Sequence, residues 1–174
     1  KSSHSDTEAL LNTFINYELE APKKLRGQFS FVIFDKKTQT FYLCRDRLGQ
    51  KPLYFTQNNN TLSFSSNLLS LSRYSNENVI NEESIYSYLN YGKTIGETTI
   101  FQNIYEVMPG EVIKVNISSN GFNMETFNYW KLEDFYDNKE FKEDEFYNLF
   151  EESVDIRTYS DVPYATFLSG GLDS

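Results

Sequence analysis

A chain of 174 residues, 39% hydrophobic and 24% charged, has room for about one domain and a fraction, and its 17% aromatic content argues for a buried core rather than long-range disorder. A net charge of −9 and an isoelectric point near 4.7 exclude a nucleic-acid partner, because phosphate binding needs clustered lysine and arginine to displace counterions. No apolar run approaches the roughly 18 residues of a membrane helix, and no charged-apolar-small leader opens the sequence, so no membrane association is expected.

Ser5 to Glu8 reads S-x-x-E and is followed by Leu10, Leu11, Phe14 and Ile15 at helical spacing, which predicts a capped amphipathic helix ending at Pro22 and the Lys23-Lys24 pair. From Gln28 to Asp35, the run Phe29-Ser30-Phe31-Val32-Ile33-Phe34 is apolar on nearly both faces. It predicts a strand buried on both sides between layers. A polar turn from Asp35 to Thr40 leads to a partner strand over Phe41 to Cys44. Two short strands, Pro52 to Phe55 and Leu62 to Ser65, are joined by Asn58, Asn59 and Asn60, residues that tolerate left-handed conformations. A short helix follows over Ser66 to Leu71. Asn81 then caps a second helix, with Glu82 and Glu83 at the positive end of its dipole and Gly92 as its stop. Pro109-Gly110 turns the chain into an alternating strand over Glu111 to Val115.

The rhythm changes near Ser118. Ser118 to Gly121 is a turn, and Thr126 to Lys142 is charged, aromatic and weakly periodic, as an interdomain crossing would be. Phe146, Leu149, Phe150 and Val154 give a helix face, and Tyr164 to Leu168 reads as an apolar strand running straight into Ser169-Gly170-Gly171-Leu172-Asp173-Ser174. Helix, strand and glycine loop are the opening of a parallel α/β domain. Paired glycines let the main chain turn sharply and approach a ligand closely, Ser169 and Ser174 offer hydroxyls, and a helix beginning after them would point free N–H groups at an anion. A phosphate or pyrophosphate is the expected guest, provided that the bend leaves directly from a sheet's edge. The lysine of a Walker loop is absent. The competing reading is an ordinary strand-to-helix turn with a serine cap.

At this point the sequence resembles a known family. Ser160-Asp161-Val162-Pro163-Tyr164-Ala165-Thr166-Phe167-Leu168 and the S-G-G-L-D-S after it look like the ATP-pyrophosphatase loop of glutamine-hydrolysing asparagine synthetases. Gly27-Gln28-Phe29-Ser30-Phe31 ending at Asp35 is similar to that family's G-x-F-[AS]-F strand, and Arg45-Asp46-Arg47-Leu48-Gly49-Gln50-Lys51-Pro52-Leu53-Tyr54 to its R-D-x-x-G-x-x-P-L-Y segment. Thr99-Ile100-Phe101 with Pro109-Gly110 resembles its T-I-F…P-G hairpin, and Ser5-Asp6-Thr7-Glu8 its S-D-x-E. In the family's order, these motifs cover nearly the whole chain.

The resemblance implies an α+β fold: the C-terminal half of an Ntn-type αββα amidotransferase sandwich over residues 1–118, a linker over 119–141, and the start of a parallel α/β ATP-pyrophosphatase domain over 142–174. It implies glutamine hydrolysis by an N-terminal cysteine whose own amine is the base, passage of ammonia to the second domain, and adenylation of aspartate by ATP with Mg2+. Asp6 would grip the α-ammonium of glutamine, although a carboxylate in the first turn of a helix also gains simply from the dipole. Leu168, Ser169, Gly170, Gly171, Asp173 and Ser174 would surround the ATP phosphates, with Asp173 acting through Mg2+ or loop hydrogen bonds, since it cannot neutralise a phosphate.

Arg45 and Asp46 could belong to the tunnel or domain interface, or form a strand-end ion pair holding the Gly49 turn. Arg157 resembles a basic position of the family but equally suits a solvated helix end. Cys44 has no histidine nearby in sequence and no free amine, so it is expected to be a small buried thiol; as the single cysteine it closes no intrachain disulfide, which favours a reducing, cytoplasmic setting. His4, the single histidine, offers no metal site by itself.

Two positions depart from the pattern. Asn67 stands where the family has glutamate, which loosens the tie to asparagine as product, and Ala165 stands where glycine is common before the loop. Relatives of the same plan amidate sugars or close β-lactam rings, and a catalytically dead scaffold is a third reading. The partners implied are glutamine, aspartate or another acceptor, and ATP; a homodimer stays open. The sequence opens at Lys1 without an initiator and stops at Ser174 in mid-motif, so it is expected to be a piece of a longer protein. The nucleophilic cysteine would then precede Lys1, and this stretch alone is expected to carry neither activity.

Overall fold

The computed structural model describes residues 5–58, 61–119, 121–136, 140–160 and 162–171. The chain divides into two compact units, Lys1–Phe135 and Tyr136–Ser174.

The first unit opens with α1, Asp6–Tyr17. It does not run on to Pro22. Glu18 takes a left-handed φ of 46°, a 3-10 turn follows over Glu18–Glu20, and α2, Ala21–Lys24, begins there with Pro22 in its first turn. Proline lacks the N–H that an early helical position leaves unbonded anyway, so it starts the short helix instead of ending the long one. Strands β1 (Ser30–Asp35), β2 (Thr40–Arg45), β6 (Glu111–Ser118) and β7 (Gly121–Asn128) form an antiparallel sheet in the order β1-β2-β6-β7. A second sheet holds β3 (Tyr54–Asn58), β4 (Thr61–Ser65) and the short β5 (Tyr105–Glu106) in the order β4-β3-β5.

Register decides what faces what. Phe41 lies opposite Val115 and Leu43 opposite Ile113, so these side chains share one face of the larger sheet. They pack with Phe55 and Leu62 of the smaller sheet and with Leu53 just before it, and Leu43, Val107 and Val115 are fully buried there. The opposite face carries Cys44, Val112 and Tyr42 and meets the helical segment through Leu19 and an edge-to-face pair between Phe14 and Tyr42, ring centroids 4.8 Å apart. Helix α3 (Leu68–Ser75) packs on β3 and β4, where the buried side chains Thr56 and Ser63 are small. The first unit is thus layered helix, sheet, sheet, helix.

Several expectations change. β1 is an edge strand whose Phe31, Val32 and Ile33 are only half-buried, because it has one neighbour, not two. The helix after β4 starts at Leu68 and reaches Ser75, with Asn67 accepting from the Ser70 N–H at 2.8 Å. That bond gives the asparagine at a family-glutamate position a local purpose. The stretch expected to be an aperiodic crossing begins inside β7, which runs the full length of β6 from Glu111–Asn128 to Ser118–Gly121. Helix α4, Glu82–Tyr91, matches its expected bounds: Asn81 accepts from the Ser84 N–H and Gly92 closes it at φ 72°. The turn at Asn59 and Asn60 lies outside the described residues, as does His4.

The second unit contains α5, Glu143–Thr158, whose Phe146, Leu149, Phe150 and Val154 are all exposed. The strand expected over Tyr164 to Leu168 is not formed: residues 163–169 have no regular structure, and Phe167 is 99% exposed. A strand's N–H and C=O groups need a neighbour, and among the described residues none is offered.

Candidate functional site

Asp6 stands in the first turn of α1. Ser5 is extended at φ −86°, and its hydroxyl accepts from the Thr7 N–H at 3.3 Å. Capping therefore consumes the serine and not Asp6, whose carboxylate is exposed and has no bonding partner among the described residues. It opens onto a cleft of about 440 Å³ whose walls are Thr7, Leu10 and Leu11 of α1 and Ser30 to Phe34 of β1. An apolar trough with one acidic group at its mouth suits a small ligand with an aliphatic body and a cationic end.

The floor of the neighbouring loop is built by Arg45, Asp46 and Arg47. Asp46 is 1% exposed, and its carboxylate accepts four backbone N–H groups: Leu48 at 3.2 Å and Gln50 at 2.9 Å on Oδ1, Lys51 at 2.9 Å and Phe29 at 3.3 Å on Oδ2. Arg45 works from the other side, donating to the carbonyls of Gly49 (2.7 Å), Lys51 (2.9 Å) and Val107 (2.8 Å) and forming an ion pair with Glu106 at 2.6 Å. The two residues do hold the Gly49 turn, but the arginine's ionic partner is Glu106. Gly49 itself sits at φ 66°, where an added Cβ would come within 2.8 Å of Pro109 Cγ and 3.0 Å of Arg45 Cζ. Arg47 donates to the carbonyls of Leu25 at 2.8 Å and Lys23 at 3.0 Å, and lies 6.0 Å from the ring centre of Tyr129. Tyr129 donates its hydroxyl to the Arg45 carbonyl at 2.8 Å, and burial pushes its phenol well above the ordinary range.

Cys44 is fully buried, and burial, with a smaller push from Asp46, drives its thiol far above the usual thiol range. It is an inert core residue. Arg157 donates to the Ser153 carbonyl at 2.8 Å, one turn back on its own helix. In the terminal loop, Leu168 is 82% exposed, Gly170 has φ 82°, and the Gly171 N–H reaches the Ser169 hydroxyl at 3.4 Å. Leu172, Asp173 and Ser174 lie outside the described residues. The bend therefore does not leave a sheet edge, as the phosphate reading required, and its geometry contributes nothing to that reading. The roles of Arg47, Glu106 and Tyr129 are not among those expected from the sequence. The second arginine of R-D-R was a visible signal for the first, whereas Glu106 and Tyr129 are placed only by the pairing of distant strands.

The family model described as glutamine amidotransferase domain matches residues 1–142, and that described as asparagine synthase matches residues 145–174. The chain belongs to the glutamine amidotransferase domain family. It is 32% identical over 173 residues to glutamine-hydrolysing asparagine synthetase 1 of Bacillus subtilis, covering 99% of this chain and 27% of that protein. It is 32% identical over 176 residues to a putative asparagine synthetase of Methanocaldococcus jannaschii, covering 98% and 34% respectively. It is also 34% identical over 179 residues to amidase chry2 of Gibberella zeae, covering 98% of this chain and 26% of that protein. The chain thus spans about a quarter to a third of the length of these curated relatives. No helix among its described residues is long and apolar enough to cross a membrane.

Proposed function

We propose that this chain is part of an ATP-dependent, glutamine-hydrolysing asparagine synthetase. The single observation that carries the reading is the order of the two family matches, amidotransferase over residues 1–142 and asparagine synthase over 145–174, on one polypeptide. In this reading the first part is an Ntn-type αββα amidotransferase sandwich, the second opens an ATP-pyrophosphatase domain, and the passage between them falls within 119–141. The helix-sheet-sheet-helix layering of the first unit supports the first assignment.

Glutamine would lie in the cleft beside Asp6. Its aliphatic side chain suits the wall of Leu10, Leu11, Phe31 and Val32, and its α-ammonium suits a carboxylate that no described residue has taken. Hydrolysis itself requires a nucleophile that the family pattern puts before Lys1. ATP supplies the adenylyl group that activates the acceptor carboxylate. Leu168, Ser169, Gly170, Gly171, Asp173 and Ser174 would hold it. The residue types fit that task, since hydroxyls and glycine main chain bind phosphate. Mg2+ would arrive with the phosphates, and among the described residues no cluster of three or more ligand-type side chains offers it a separate seat.

A second reading has its own support. Amidase chry2 is 34% identical to this chain, against 32% for the two synthetases, and Asn67 departs from the family's glutamate. In that reading the acceptor is a carboxylate other than aspartate.

The test is the full-length protein carrying this chain, supplied with ATP, Mg2+, aspartate and either glutamine or ammonia. Asparagine, AMP and pyrophosphate are the expected products, and Asp6→Ala should weaken glutamine use far more than ammonia use. Equal losses with both nitrogen donors would make Asp6 a helix-end charge and nothing more. No turnover with aspartate, but turnover with another acid, would select the second reading.

A further inference from the structure

The cleft beside Asp6 has two walls, and both are tied to adjacent residues of one loop. The β1 wall is anchored at its start: the Asp46 N–H donates to the Phe29 carbonyl at 2.8 Å, the Phe29 N–H donates to Asp46 Oδ2, and the Ser30 hydroxyl donates to the Pro52 carbonyl at 3.1 Å. The helical wall is anchored through α2, which packs against α1: the carbonyl of Lys23 in its last turn and that of Leu25, just past its end, both accept from the Arg47 guanidinium.

An ordinary turn does not need this much. Three of the four N–H groups on the Asp46 carboxylate, with the Arg45 guanidinium, hold the loop itself rigid; the fourth, from Phe29, ties that loop to the strand side of the trough, and Arg47 ties it to the helix side, without either residue lining the trough. Asp46 holds the strand side and Arg47 the helix side, so the spacing of the walls is set by consecutive residues of a rigid loop.

We propose that Asp46 and Arg47 are positioning residues that set the width of the glutamine cleft, acting through Phe29 and through α2. This rests on the reading of that cleft as the glutamine site. A shift of wall position of a fraction of an ångström misplaces a small ligand without unfolding the sheet, so the effect should appear in glutamine binding and not in the chemistry downstream.

The decisive variant is Arg47→Ala in the full-length protein, because its bonds end on backbone carbonyls and it carries none of the Gly49 turn. Asp46→Asn is the companion, and Asp6→Ala the reference. Glutamine-dependent and ammonia-dependent turnover are measured for each, with thermal melting as a check on folding. The expectation for Arg47→Ala is a glutamine KM raised about tenfold, kcat changed by less than about twofold, and ammonia use unaltered. Arg47→Lys, which keeps a charge and one carbonyl bond, should recover part of the KM. If Asp6→Ala raises the glutamine KM and Arg47→Ala does not, the positioning role is wrong and the site reading stands. If neither variant moves it, the cleft is not the glutamine site and both ideas fall. A lowered melting temperature with equal losses for both nitrogen donors would likewise reduce Arg47 to a structural brace.

Discussion

The two units of this chain treat similar apolar sequence in opposite ways. Leu43, Val107, Val112 and Val115 of the first are fully buried, whereas not one described residue from 140 to 171 in the second is buried, though Phe146, Leu149, Phe150, Phe167 and Leu168 are as apolar. The difference lies in where an element finds its hydrogen bonds. Helix α5 satisfies its own backbone and forms with its apolar side chains exposed; Tyr164 to Leu168 needs a neighbouring strand and stays irregular. Apolar pattern announces an intention to be buried. Pairing decides whether it is met.

The comparison can be put to the test by cutting side chains in each unit. Leu43→Ala, in the middle of the two-sheet core with Leu53, Phe55 and Ile113 around it, should destabilise the first unit by about 3 kcal/mol. Phe150→Ala, 58% exposed on α5, should change stability by less than about 0.5 kcal/mol. Urea unfolding followed by circular dichroism measures both, and similar losses would mean that α5 is packed in solution. Next in size is Gly110→Ala. Gly110 has φ 72°, and an added Cβ would run into the Trp130 carbonyl oxygen at the turn where Tyr129 and Trp130 N–H groups bond back to Gly110; a loss of about 2 kcal/mol is expected. Gly170→Ala, also at positive φ but with open space around it, should cost only its backbone strain of about 1 kcal/mol. Tyr129→Phe comes after these. It leaves the buried Arg45 carbonyl without its phenolic donor and should cost about 1 kcal/mol by the same measurement.

What the sequence disclosed follows the same division. Ser5, Asn81, Gly92 and Pro109-Gly110 were readable because a cap or a turn is settled within a few residues of itself. Strand β7 and the two-residue β5 were missed because Thr126 to Asn128 and Tyr105-Glu106 acquire their conformation from β6 and β3, not from their own composition. The edge position of β1 was hidden for the same reason: Phe31 to Phe34 read as doubly buried, and only the strand order leaves them half-open. At the candidate site Asp6 was found by resemblance, and the cleft beside it arises where β1 meets α1. The R-D-R loop was visible as a motif. Its purpose was not, since the acceptors of Arg47 lie 22 and 24 residues away in sequence and are main-chain carbonyls that no side-chain pattern advertises.

The smallest effect tests how tightly the first unit closes around charge. Glu111 begins β6, is 8% exposed, and accepts from the Met108 N–H at 2.9 Å. Burial raises its carboxyl above 4.5, against the pull of that hydrogen bond and with a further push from Glu97. A carboxyl raised in the folded state binds its proton more tightly there than in the unfolded chain. Its contribution is therefore most favourable at low pH and is lost as pH climbs from the unfolded value through the folded one. Glu111→Gln keeps an acceptor for Met108 but cannot ionise. Relative to the parent, it should lose standing at pH 4 and gain steadily through the window just above 4.5, with the difference level at neutral pH. Urea midpoints across that range measure it. A flat difference throughout would mean that water reaches the Glu111 carboxylate, and that the Pro109-Gly110 corner of the sheet is looser than its buried neighbours Val107 and Val112 indicate.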